Sequence, residues 1–140
     1  MFTTRHRIAV AVTAVLAVAV TLVWPHHPAQ ASLRRDLHAR LHSTSAFPHA
    51  HGGADYHSGH HGRELDLGLA GVRKLNGKTV RVYVHGDFVA GLHVRFGRAH
   101  LHRRCGVPVV RRGSTVSVRT TGGTLVAGGT FRRGCCHHHM

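Results

Sequence analysis

Acidic residues are scarce in this 140-residue sequence, and their scarcity limits the chemistry that it can perform. Nineteen lysines and arginines and five acids give a formal net charge of +14. The acids are Asp36, Asp55, Glu64, Asp66 and Asp87. Glu64 and Asp66 share the solvent face of one predicted strand, which suits salt bridges with arginine as well as catalysis. Because no nucleophile motif, phosphate-binding loop or His-Glu-x-x-His pattern occurs, we predict that the protein is not an enzyme.

Aromatic side chains and several common residue types are also rare. Phe, Trp and Tyr make up 6% of the chain, which is few for a protein that stacks the bases of single-stranded nucleic acid. We therefore expect no sequence-specific nucleic-acid partner. Lysine occurs only at Lys74 and Lys78, isoleucine only at Ile8 and asparagine only at Asn76. This profile is typical of a GC-rich genome, so codon bias remains an alternative source of the arginine and histidine excess.

Long apolar runs are absent except near the start of the chain. Met1–Arg7 is basic, Ile8–Trp24 is almost wholly apolar, and Ala29-Gln30-Ala31 has the small-x-small pattern of a cleavage site. These features predict a secretory signal peptide over residues 1–31. An uncleaved membrane anchor is the alternative, because the apolar run has the minimum length that spans a bilayer. Cleavage would lower the net charge to +12 and leave a secreted protein that does not contact the membrane.

Cysteine is limited to Cys105, Cys135 and Cys136. Thiols outside the cell tend to pair, and a bridge from Cys105 to either of the other two would close a loop of about 30 residues and stabilise the fold by roughly 3 kcal/mol. The remaining thiol would be available for a metal or for a disulfide-linked dimer.

Residues 32–62 have the composition of a flexible arm. Leu33, Leu37 and Leu41 recur every four residues, which predicts a short amphipathic helix. Histidine, serine and glycine then dominate as far as Gly62. Because this composition offers little apolar surface to bury, we predict a flexible His/Gly-rich arm.

Residues 63–133 have the two-residue period of β-strands. Apolar side chains occupy alternate positions in several short runs, among them Leu65/Leu67/Leu69, Val80/Val82/Val84, Leu92/Val94/Phe96 and Val116/Val118. Turn signals such as Asn76-Gly77 separate the runs. The pattern predicts an all-β domain, a small antiparallel β-sandwich or partly closed barrel of six to seven strands, followed by a Cys/His tail over residues 134–140.

Arginine and tyrosine fill many of the outward positions of these strands. The candidate polyanion-binding residues are Arg81, Tyr83, Arg95, Arg98 and Arg119. A basic surface of this kind attracts anionic polymers over a long range. We therefore expect the partner to be an anionic polymer of the cell envelope or another polyanion. A solvated charged face with no partner is the alternative.

Histidine is in the largest excess, with 17 in the chain. On one strand His100 and His102 would share a face, and His93 or His85 on neighbouring strands would supply a third ligand. The tail carries two thiols and three imidazoles, at Cys135, Cys136, His137, His138 and His139. Because imidazole and thiolate bind copper and zinc, extracellular capture or delivery of one of these metals is the alternative function.

The β-region resembles a domain of secreted bacterial proteins that is often found in tandem. The resemblance covers about half of the chain and includes Glu64-Leu65-Asp66-Leu67, Val80–Val84, Gly97–Leu101 and Gly129-Thr130-Phe131. It implies an all-β fold and no catalytic residues. A fainter resemblance, through Val82-Tyr83-Val84 and Leu92-His93-Val94 in a His-rich exported chain, is to the helper proteins that load copper into bacterial tyrosinase.

Overall fold

A computed structural model describes residues 35–134, which form nine strands and one short 3₁₀ helix, Arg73–Leu75. The strands are β1 (Arg35–Ser43), β2 (His51–Gly59), β3 (Gly62–Ala70), β4 (Thr79–Val84), β5 (Asp87–His93), β6 (Ala99–Arg103), β7 (Thr115–Thr120), β8 (Leu125–Thr130) and β9 (Arg132–Arg133). No helix among these residues is long and apolar enough to cross a membrane. The predicted signal peptide and the tail beyond Gly134 lie outside the described residues.

All strands belong to one antiparallel sheet that is nearly closed into a barrel. The order is β5-β4-β7-β8-β1-β2-β3-β6, and β9 pairs with β1 beside β8. The first and last strands of this order, β5 and β6, follow each other in the chain. Arg95 and Arg98 exchange two backbone hydrogen bonds of 2.9 Å at the turn between them, and the Arg103 guanidinium donates to the Val89 carbonyl. These contacts bring the two ends of the sheet together.

The barrel interior is filled by the alternate apolar side chains. Val80, Val82 and Val84 are fully buried, and the largest buried side chains are Tyr56 and Phe131. The prediction of an all-β fold is confirmed. The predicted count of six to seven strands is wrong, because residues 35–134 form nine.

The predicted flexible arm is wrong for residues 35–62, where β1 and β2 are central strands of the sheet. Leu37, Ala39 and Leu41 are 6%, 1% and 2% exposed and all face the interior. A spacing of four residues fits one face of a helix, but it is also twice the strand period. Ala39, midway between the two leucines, falls on the buried face only in a strand.

Phe96 also departs from the predicted pattern. Alternation placed it on the buried face with Leu92 and Val94, yet its side chain is 91% exposed. Phe96 (φ 51°) and Gly97 (φ 70°) form the turn between β5 and β6. A non-glycine residue in this left-handed region is uncommon, and the conformation costs on the order of 1 kcal/mol.

Leu41→Ala tests the place of β1 in the core. We expect this variant to lose about 2–5 kcal/mol of unfolding free energy, since it leaves a cavity in a packed interior. His42→Ala, which truncates the next, exposed side chain, should stay within about 0.5 kcal/mol of the parent. Urea denaturation followed by tyrosine fluorescence measures both. Equal stability of the two variants would show that β1 is a loosely attached arm.

Candidate functional site: two faces of the barrel

Most of the chain's acidic residues lie on one side of the barrel. Asp36, Asp55, Glu64 and Asp66 occupy outward positions on β1, β2 and β3, and β6 extends this surface. We call the outward side of these four strands the histidine–carboxylate face. The fifth acid, Asp87, begins β5 on the other side.

Histidine pairs with three of these carboxylates. The His38 Nδ1 lies 2.7 Å from Asp55 Oδ1, and the His57 Nδ1 lies 2.8 Å from Asp36 Oδ1. In both pairs the residues stand directly opposite each other on β1 and β2. The pairing is reciprocal because each strand carries the pattern Asp-x-His and the strands run antiparallel. Opposite charges in such cross-strand positions stabilise a sheet modestly.

A third histidine–carboxylate pair extends the row across the sheet. Asp66 on β3 stands opposite Asp55 on one side and His102 on the other. The His102 Nδ1 is 2.6 Å from Asp66 Oδ1, so His38, Asp55, Asp66 and His102 form one line across four strands. Two carboxylates meet at its centre, and like charges in directly opposed positions repel each other. His38 and His102, one at each end of the line, each place a ring nitrogen within hydrogen-bond distance of a carboxylate.

Glu64, Asp66 and His102 form the one group of three metal-ligand side chains found within residues 35–134. Their ligand atoms all lie within 4.8 Å of one another. Glu64 Oε1 is also 3.5 Å from the Arg104 guanidinium. The Glu64 and Asp66 side chains are about one-third exposed and His102 about one-half, so the group is open to solvent. Oxygen and imidazole donors of this kind suit zinc and copper.

The other histidines predicted as ligands have different surroundings. His93 is exposed at the end of β5, and His100 is exposed on β6, on the same side of that strand as His102. Neither belongs to the group of Glu64, Asp66 and His102. His85 lies in the turn after β4 with a φ of 54°, and its Nε2 is 2.5 Å from the buried Ser114 Oγ. The tail residues Cys135, Cys136, His137, His138 and His139 lie outside the described residues.

The opposite side of the barrel is basic. Arg81 and Tyr83 on β4 and Arg119 on β7 point outward, and we call these three residues the basic face. Arg81 stands directly opposite Arg119, an arrangement of like charges that weakens the sheet. The Tyr83 ring meets Phe88, which is 60% exposed, edge to face with ring centroids 5.9 Å apart. The face thus combines two opposed cations with a partly exposed aromatic pair.

Arg95 and Arg98 lie beside a shallow groove of about 620 Å³. The groove is on the histidine–carboxylate face, because Gly53, Gly68 and His100 share the outward side of their strands with Asp55, Asp66 and His102. The groove is lined by Gly52, Gly53, Gly68, Leu69, Ala70, His93, Arg95, Arg98, Ala99 and His100. His93 pairs with Thr79 on β4, two residues before Arg81 on the same outward side. The five predicted polyanion-binding residues therefore fall in two neighbouring parts of the surface.

Cys105 is exposed and is the one cysteine within residues 35–134. Cys105 follows β6, whose last residue is Arg103. Arg103 pairs with Leu65 of β3, Leu65 pairs with Tyr56 of β2, and Tyr56 pairs with Leu37 of β1. Arg133 pairs with Leu37 from the other side, so the last described residues lie at the end of the barrel where Cys105 lies. The predicted bridge to Cys135 or Cys136 remains a prediction.

No family model matches this chain, and no curated protein matches it.

The carboxylates of β1 and β2 were missed as site residues because their segment was assigned to a flexible arm. The repeated pattern Asp36-x-His38 and Asp55-x-His57 was the available signal. Once both segments are strands with opposite directions, the repeat places each histidine opposite an aspartate.

Arg81→Thr tests the repulsion within the basic face. Since Arg81 and Arg119 are directly opposed, removing one charge should raise the unfolding free energy by about 0.2–1 kcal/mol at low salt. The gain should disappear in about 1 M salt, where the Debye length is roughly 3 Å. Urea denaturation at both salt concentrations measures the effect. A stability loss at low salt would contradict the repulsion.

Proposed function

We propose that this protein is a non-catalytic binding domain that holds an anionic polymer on its basic face and the adjoining groove. The observation that carries the proposal is the segregation of charge. Asp36, Asp55, Glu64 and Asp66 are gathered on the histidine–carboxylate face, and each has a cationic or histidine neighbour there. On the other side of the barrel the one acid among the described residues is Asp87, at the start of β5, so Arg81 and Arg119 have little internal competition for external anions.

The opposed pair of Arg81 and Arg119 supports an anionic ligand. Two guanidinium groups held on neighbouring strands repel each other until an anion lies between them. Phosphate, sulfate and carboxylate groups accept several guanidinium hydrogen bonds at once. Binding such a group would turn a destabilising contact into a favourable one.

The proposed setting is outside the cell, where the polymer is a component of the cell envelope or another polyanion. The extracellular setting is inferred from the basic start, the apolar run and the cleavage pattern of residues 1–31. A low proportion of aromatic residues fits a ligand recognised by its charge rather than by its base sequence.

Charge reversal tests the basic face. The full secreted chain is applied to immobilised heparin and polyphosphate at increasing salt. We expect Arg81→Glu/Arg119→Glu to elute at lower salt than the parent. The slope of log affinity against log salt should fall by roughly two, because two cation contacts are lost.

The matched control is Arg35→Glu/Arg133→Glu, which makes the same change in net charge at exposed sites on β1 and β9. It should elute close to the parent if binding is local to the basic face. Equal losses in both double variants would mean that net charge alone governs retention. Retention of the parent that does not depend on salt would exclude the proposal.

Metal binding is the second candidate function, and the observation that favours it is the proximity of Glu64, Asp66 and His102. In this proposal the three side chains hold zinc or copper through two carboxylate oxygens and one imidazole nitrogen. The site is distinct from His93 and His100, and the Cys/His tail would bind metal separately.

A chain that ends at Gly134 isolates this site from the tail. In calorimetric titrations with Zn²⁺ and Cu²⁺, we expect His102→Ala and Asp66→Asn to weaken binding by roughly 10–100-fold. His93→Ala/His100→Ala is the control and should bind as the parent does. If the control loses binding and the two test variants keep it, the metal lies at the histidine pair instead.

A further inference from the structure

The floor of the groove on the histidine–carboxylate face is formed by glycines, two residues along each strand from Asp55 and Asp66, which do not line it. Gly53 on β2 stands directly opposite Gly68 on β3, with Arg40 of β1 on one side and His100 of β6 on the other. Gly68 leaves bare backbone beside His100, whereas the end of the His38 side chain lies over Gly53. Glycine weakens a strand, and in a sheet it marks a bulge, a tight bend, or a place where another backbone or a ligand comes close.

Packing within the barrel does not require glycine at position 68. A Cβ atom built there meets nothing within 4 Å, and its φ lies outside the left-handed region. At Gly53 the nearest atom would be the end of the flexible His38 side chain, 3.2 Å away. By contrast, a Cβ at Gly129 would lie 2.1 Å from a backbone oxygen. The open space at Gly68 therefore lies on the outer surface of the barrel and not in its core.

Two arginines and two histidines form the rim of this groove. His93, Arg95, Arg98 and His100 line it together with the carbon-rich floor of Gly53, Gly68, Leu69, Ala70 and Ala99. Its volume of about 620 Å³ falls within the range of small-ligand clefts, about 300–1,000 Å³. The groove therefore offers an apolar base and positive charge at the edge.

An exposed aromatic ring lies next to the rim. Phe96, between Arg95 and Arg98 in the turn, is 91% exposed and has a φ of 51°. The turn is fixed by hydrogen bonds from Gly97 N to Asn76 Oδ1, 2.6 Å, and from Val72 N to Gly97 O, 3.1 Å. The chain thus keeps a large apolar side chain in water and in an unfavourable conformation, on a turn that is held in place.

We infer that the groove is the site for one unit of an acidic polysaccharide, with Phe96 contacting a neighbouring unit. This inference rests on the proposed polyanion-binding function and names the class of polymer. A pyranose ring has C–H faces that pack on a carbon-rich floor or an aromatic ring, and its carboxylate or sulfate groups at the edge reach the rim cations. A polyphosphate has no carbon to contact the floor. Nucleic-acid bases require several aromatic rings for stacking, and no aromatic residue lines the groove.

The test uses Gly68→Val, which fills the floor with a side chain favoured in strands. Titrations of the full secreted chain use a sulfated heparin oligosaccharide, oligogalacturonate, polyphosphate, single-stranded DNA and phosphatidylglycerol vesicles. We expect Gly68→Val to bind both oligosaccharides at least about tenfold more weakly than the parent and to bind polyphosphate equally well. Gly59→Val is the control, because its Cβ also meets nothing within 4 Å and it lies at the far end of β2.

Phe96→Asn is a second variant, and it tests the inference even if Gly68→Val does not fold. Asparagine tolerates a positive φ better than phenylalanine, so thermal stability should be equal or higher. We expect oligosaccharide affinity to fall by about tenfold.

Three outcomes would overturn the inference. If Gly68→Val and Phe96→Asn bind oligosaccharides like the parent while the Arg81/Arg119 double variant does not, the proposed function stands and the groove assignment fails. If Gly68→Val weakens polyphosphate or DNA as much as oligosaccharide, the groove is not selective for sugar. If the parent binds the vesicles and not the oligosaccharides, the exposed Phe96 side chain contacts a lipid surface instead. Binding of none of the probes would remove the proposed function itself.

Discussion

The antiparallel pairing of β1, β2, β3 and β6 is the constraint on which the described structure depends. Because side chains alternate between the two sides of a strand, one register determines the interior and the exterior together. The register that buries Leu41, Tyr56 and Leu67 also places Asp55 beside Asp66 and His38 beside Asp55. A shift by one residue would expose the core and separate the histidine–carboxylate pairs.

Charge segregation follows from this register. In a chain of net charge +14, a scattered distribution of acids would neutralise arginines over the whole surface. Here Asp36, Asp55, Glu64 and Asp66 each have a partner within one face. Asp87 is the one acid of residues 35–134 on the other side. The same arrangement underlies both candidate functions. The basic face and groove suit anions, and the group of Glu64, Asp66 and His102 suits a cation.

The two faces also differ in how their charges are balanced. On the histidine–carboxylate face, Asp55 and Asp66 stand opposite each other, and each has a histidine ring nitrogen within 2.7 Å. On the basic face, Arg81 stands directly opposite Arg119. Both residues of this pair are cations, so nothing within the pair offsets their repulsion. Any ligand that stabilises both faces at once would have to be zwitterionic, whereas separate ligands would stabilise the barrel independently.

The sequence by itself determined the all-β fold, because the alternation in Leu65/Leu67/Leu69 and Val80/Val82/Val84 requires one buried side per strand. It also indicated that His100 and His102 point outward. Only the tertiary structure decided the rest. Leu37 and Leu41 have a spacing compatible with a helix or a strand, and pairing with β2 and β9 selected the strand. The partners of Asp36, Asp55 and Asp66 lie on other strands, so they were fixed by register, which depends on contacts between residues far apart in the chain.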